Sequence, residues 1–65
     1  MDERSLVKDW IDAMPDDTAR PDYQAACAEQ ALVFLQRLKE AATAGAVRWH
    51  RYSYWRSMIM FFIGE

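Results

Sequence analysis

The sequence predicts an all-α fold: a short helix, a long helix and an apolar carboxy-terminal helix in one small bundle over residues 1–65. Three observations carry this. Apolar residues recur at helical spacing in the first two segments. Proline and glycine punctuate the chain only between segments, apart from a glycine beside its last residue. No Asn-Gly or Asp-Gly hairpin turn occurs anywhere.

The first helix is predicted over Glu3 to Met14. Leu6, Val7, Trp10, Ile11 and Met14 form a single stripe opposite charged residues. Asp2 or Ser5 suits its start as a cap, and Pro15 disfavours helical geometry at Met14. Pro15 to Asp22 reads as the loop that folds this helix back on the next. Asp17 or Thr18 is the expected cap there, and Pro21 is tolerated in a first turn.

The second helix, Pro21 to Ala44, is rich in strong helix formers. Cys27, Ala31, Phe34, Leu38, Ala41 and Gly45 follow a 4, 3, 4, 3, 4 spacing, the rhythm of a packed helix pair. Ala28, Leu32, Leu35 and Ala42 widen that stripe, so this helix is expected to touch two neighbours. Gly45 is the expected C-terminal stop.

Residues 47–63 read VRWHRYSYWRSMIMFFI and hold six of the nine aromatic side chains. Failure of strict alternation between Trp49 and Tyr52 favours a helix, with a strand pair as the alternative. On a helix, Val47, Tyr54, Met58, Phe61 and Phe62 share one face, with Trp55 and Ile59 flanking it. Trp49, Met60 and Ile63 lie nearly opposite. The end of this helix is thus apolar on every side and is expected to be buried in an assembly. The predicted core is Leu6, Trp10, Ile11, Phe34, Leu35, Leu38, Trp55, Met58 and Phe62.

A chain this size sits near the limit for independent folding. Folding from an extended chain removes roughly 3,800 Å² of apolar surface, worth about 95 kcal/mol. Ordering the chain costs roughly 98 kcal/mol. The two nearly cancel, so a few hundred Å² at an interface decides stability, and a homo-oligomer, most simply a dimer, is expected.

Charge is uneven around a net of −2. Residues 1–22 carry seven acids against Arg4, Lys8 and Arg20, a net of −4; residues 45–65 carry Arg48, Arg51 and Arg56 against Glu65, a net of +2. The two ends are expected to attract each other within the fold or across a dimer. The single cysteine, Cys27, leaves no internal disulfide, in keeping with a reducing cytoplasm, and is expected to be a small buried hydrophobe. No secretory signal is read in the first residues, and the longest apolar run, Met58 to Ile63, falls well below the ~20 residues of a membrane span.

Chemistry-bearing constellations are absent from the pattern. His50 is the lone histidine and metal sites need several ligands, so no metal and no cofactor is expected. Asp9, Asp12, Asp16 and Asp17 match no cation-binding loop and read as a solvated acidic face. An enzyme is therefore not expected.

The leading expectation is a protein-binding module that attaches to a larger protein and modulates it. Trp, Tyr and Arg dominate interface energetics, and the candidate contact residues are Arg48, Trp49, Arg51, Tyr52, Trp55 and Arg56. In profile, though through no motif, the chain resembles the small inhibitors that bacteriophages make against host machinery, a resemblance that assigns no residue roles. The same Arg/aromatic residues suit single-stranded nucleic acid held by a dimeric regulator, but three arginines in an acidic chain make a small electrostatic footprint. Those arginines also pair with aromatics four residues away, where they stack within the helix. A membrane-interface role is the third reading; against it, the three arginines point in different directions.

Overall fold

The computed structural model describes residues 2–64. It comprises three helices, α1 (Glu3–Asp12), α2 (Tyr23–Thr43) and α3 (Trp49–Ile63). The carboxy-terminal segment is therefore helix, not a strand pair.

Each boundary has a local cause. Asp2 caps α1 by accepting the Ser5 N–H at 2.9 Å, which also lowers the Asp2 pKa. α1 ends at Asp12, two residues before the expected Met14, in a turn in which the Met14 N–H bonds the Ile11 carbonyl at 3.2 Å. The loop's Asp17 accepts the Ala19 N–H at 3.0 Å and so shapes the turn rather than capping α2. The α2 cap position falls to Asp22, whose carboxylate is taken by Arg20, with Nη2–Oδ2 at 2.9 Å. α2 then starts after Pro21 instead of at it.

Gly45 closes α2 as the spacing predicts, at φ +84°. The Gly45 N–H bonds the Ala42 carbonyl at 3.1 Å, and the Ala46 N–H bonds the Ala41 carbonyl at 2.9 Å. This is the paired hydrogen-bond pattern of a Schellman stop. A Cβ at Gly45 would meet nothing within 4 Å, so the cost of Gly45→Ala is purely conformational. We expect a loss of about 1 kcal/mol in a urea melt.

α2 is the central element. α1 and α3 both pack on it and not backbone-to-backbone on each other. Up-down-up connectivity leaves α1 and α3 parallel, with both N-termini at one end. The buried residues are Leu6 from α1, Ala31, Phe34, Leu35, Leu38 and Ala42 from α2, Val47 from the connection and Ile59 from α3. Val7, Trp10, Ala41, Tyr52 and Trp55 pack around them.

Three aromatic rings join the helices. Trp10 stacks on Phe34 at 4.6 Å and 14°. Trp55 meets Phe34 edge-on at 5.3 Å and Trp10 edge-on at 6.0 Å. The Trp10 indole N–H is covered and has no acceptor among the described residues. The stack therefore carries a desolvation cost of about 1–3 kcal/mol.

Two core expectations fail. Ile11 is 61% exposed and Phe62 is 77% exposed, while Met58 is half-buried. α1 has no neighbour on the side away from α2, which leaves Ile11 in solvent. α1 also has ten residues to α3's fifteen. Starting at the same end, it falls short of α3 by about 7 Å at 1.5 Å per residue, so nothing from α1 reaches Phe62.

The result is a flattened, layer-like bundle rather than a ball, in which α1 and α3 still meet through Trp10 with Trp55 and Glu3 with Arg51. Its extents are 39 × 24 × 13 Å, the smallest close to the breadth of one helix. The radius of gyration is 12.3 Å, against about 10.7 Å for a compact domain of this length. The accessible surface is 4771 Å², against about 4,300 Å² for a compact monomer of this mass.

Candidate interaction surface

The opposite charges of the chain's two ends meet within the molecule, at the end where α1 and α3 both begin. Arg51 forks onto the Glu3 carboxylate, Nε–Oε1 at 3.0 Å and Nη2–Oε2 at 2.7 Å. The Trp55 indole N–H donates to the same carboxylate at 2.8 Å. Glu3 also sits beside the first turn of α3, which has no acidic residue of its own, where negative charge suits the helix dipole. The Arg51 guanidinium, and after it the Trp55 N–H, hold the Glu3 carboxyl down at about 2, against the opposing effect of burial. Glu3 in turn raises the Arg51 pKa.

This clamp sets the rotation of α3 about its axis. With Arg51 and Trp55 turned toward α1, the buried face becomes Tyr52, Trp55 and Ile59. The face expected from the sequence was centred on Tyr54, Met58, Phe61 and Phe62. Tyr54 is instead half exposed, and Phe61 and Phe62 stand in solvent as an edge-on pair at 5.6 Å. Only Ile59 of α3 is buried.

The six candidate contact residues divide accordingly. Arg51 is engaged by Glu3 and lies over the Tyr54 ring at 4.9 Å, a pairing three residues along instead of the expected four. Tyr52 and Trp55 pack against the core. Arg48, Trp49 and Arg56 remain at the surface, with Trp49 54% exposed and edge-on to Tyr52 at 5.7 Å. The clamp has a measurable signature in the two tryptophans. Trp55→Phe removes a bond to a charged acceptor and is expected to cost about 1.5–3 kcal/mol. Trp10→Phe removes an N–H that has no acceptor and keeps the stack, so its cost in the same melt should be smaller by at least about 1 kcal/mol.

The apolar far end of α3, expected from the sequence to be buried in an assembly, adjoins a cleft that the sequence did not reveal. There the shortness of α1 opens a cleft of about 430 Å³ between Trp10 and Met14 on one side and Ile59 and Phe62 on the other, with Cys27 and Ala31 beneath. Cys27 is thus a half-buried cleft residue and not a sealed one, and its thiol, one turn on from Tyr23, raises that hydroxyl's pKa. The available signal was the all-round apolar character of the last turns of α3.

The remaining candidates are structurally ordinary. His50 is exposed. Asp12 pairs with Lys8 at 2.9 Å and Asp9 with Arg37 at 3.3 Å. Among the described residues, no group of three or more His, Cys, Asp or Glu side chains is placed to hold a metal ion, and no helix is long and apolar enough to cross a membrane. No family model, curated protein or solved structure matches the chain, so no relative lends it a function.

Proposed function

We propose that this chain is a small, non-enzymatic, cytoplasmic protein-binding module that works as a homodimer and modulates a larger protein by occupying part of its surface. The observation that carries this reading is the mismatch in α3. Its carboxy-terminal end is apolar around the whole axis, yet one edge of the helix alone is packed, and Trp49, Tyr54, Phe61 and Phe62 stay in solvent. Apolar helices are stable in water when something covers them. Exposed tryptophan flanked by arginine is the residue combination that dominates protein interfaces, which makes Arg48, Trp49 and Arg56 the contact edge for the larger protein. Inhibition by occupancy, the mode of the bacteriophage inhibitors the chain resembles in profile, needs no catalytic group.

Nucleic acid is a weaker fit. Arg51 is neutralised by Glu3, and Tyr52 and Trp55 are spent on the core. That leaves two exposed arginines, Arg48 and Arg56, beside the exposed rings of Trp49 and Tyr54, in a chain of net charge −2.

Affinity capture from the native host with wild type and a Trp49→Ala, Arg56→Ala double variant tests the reading. A protein retained through high salt by wild type, and bound about 30-fold or more weakly by the variant, is the expected result. Capture of oligonucleotides with an affinity that falls steeply with salt would overturn it in favour of a nucleic-acid regulator. Sedimentation with anionic vesicles would overturn it in favour of a membrane-interface role.

A further inference from the structure

We infer that the cleft at the open end of the layer is the socket of a reciprocal dimer, filled by Phe61 and Phe62 of a second copy of this chain. This deepens the dimer part of the proposed function and rests on it.

The size of the cleft fits its occupant. A cavity of about 150 Å³ holds one benzene ring, so about 430 Å³ accommodates two phenyl rings with room to pack. Two phenyl rings stand unused at the same end, Phe61 at 78% and Phe62 at 77% exposed. The chemistry fits as well. Among the described residues no charged side chain lines the cleft, so an apolar plug enters without stranding an ion from them. Small-molecule sites orient their ligands with several placed polar groups. Here Tyr23 and Gln24 are the main polar side chains at the wall.

Placement favours a second copy over an unrelated partner. Phe62 is both a wall of the cleft and half of the plug, so plug and socket adjoin. A two-fold axis at this end therefore seats both plugs in both sockets at once, the self-complementary arrangement of an isologous interface. The area is sufficient. At about 120–190 Å² of exposed surface per ring, four rings bury about 500–750 Å². Counting the walls they cover, the interface reaches about 1,000–1,500 Å², the range of specific association. One copy's share is close to the surface that this layer exposes beyond a compact monomer, 4771 Å² less about 4,300 Å².

The lone cysteine makes the geometry testable. Under mild oxidation, F61C is expected to give a covalent dimer that needs both thiols, so that neither wild type nor F61C/C27A forms it. Phe61→Asp, an exposed position whose fold is checked by circular dichroism, is expected to weaken self-association about 30-fold or more by light scattering. A wild type that is dimeric while F61C fails to cross-link and Phe61→Asp stays dimeric would overturn this interface and leave the dimer standing. A covalent dimer that persists in F61C/C27A would show that the ends meet outside the cleft and would also overturn it. A wild type that stays a 7.6 kDa particle to about 100 µM would overturn interface and dimer together, leaving the larger-protein reading to the capture experiment.

Discussion

Phe34→Ala is expected to unfold the chain or bring it to the edge of unfolding at 37 °C. Phe34 is 2% exposed and is the one ring that touches both tryptophans, stacking on Trp10 and meeting Trp55 edge-on. Truncating a fully buried phenylalanine costs about 3–5 kcal/mol. A domain of this length has about 3–10 kcal/mol in total. The loss is compounded because α1 and α3 meet each other only through side chains, Trp10 with Trp55 among them, and not backbone-to-backbone. Removing the ring between their tryptophans loosens both from α2. Circular dichroism and urea denaturation read the effect. Phe34→Leu should retain a cooperative transition at lower urea, whereas an unchanged midpoint for Phe34→Ala would mean the three rings are not the hub of the core.

The second large effect is expected at the Glu3 clamp. Glu3→Gln keeps the shape and removes the charge that binds Arg51 and Trp55. The pair is partly exposed, 25% at Glu3 and 41% at Arg51, so solvent screening discounts it to about 1–2 kcal/mol. The pH dependence has a definite sign. The folded carboxyl sits at about 2, below its ordinary 4.5. The unfolded state therefore takes up the proton first, and the clamp's contribution is complete above about pH 4.5. It is lost as pH falls toward about 2. Wild type should therefore lose stability across that window, and Glu3→Gln should lose correspondingly less. Parallel acid titrations of the two proteins would contradict the clamp's role.

Much of this fold was legible in the sequence, and the illegible parts have two causes. The first two helices announce themselves through periodicity, the third only through the failure of strict alternation, and Gly45 marks the end of α2 because a left-handed residue is needed there. Attraction between an acidic front and a basic back was also readable, and it resolves into one clamp. The rotation of α3 was not readable. A helix with apolar residues on every side has no inward face that the pattern alone picks out, and the rotation adopted is the one that joins Arg51 to Glu3 and seats Trp55 on Phe34. That choice brings Ile59 in and turns Phe61 and Phe62 out. The same choice divided the contact candidates, because Arg51, Tyr52 and Trp55 carry interface chemistry that the fold uses internally. The cleft was hidden for a different reason. It depends on α1 and α3 starting at the same end of the bundle, so that their difference in length, itself readable from Pro15 and from the 47–63 segment, falls at the other end.

The most direct test is the molar mass of the 65-residue chain by sedimentation equilibrium from about 1 to 100 µM. If the carboxy-terminal rings are more than one copy can cover, the mass climbs from 7.6 kDa toward twice that value as concentration rises. A single 7.6 kDa species across the whole range, binding no hydrophobic dye, would mean that a solitary molecule already shelters those rings and would contradict the account.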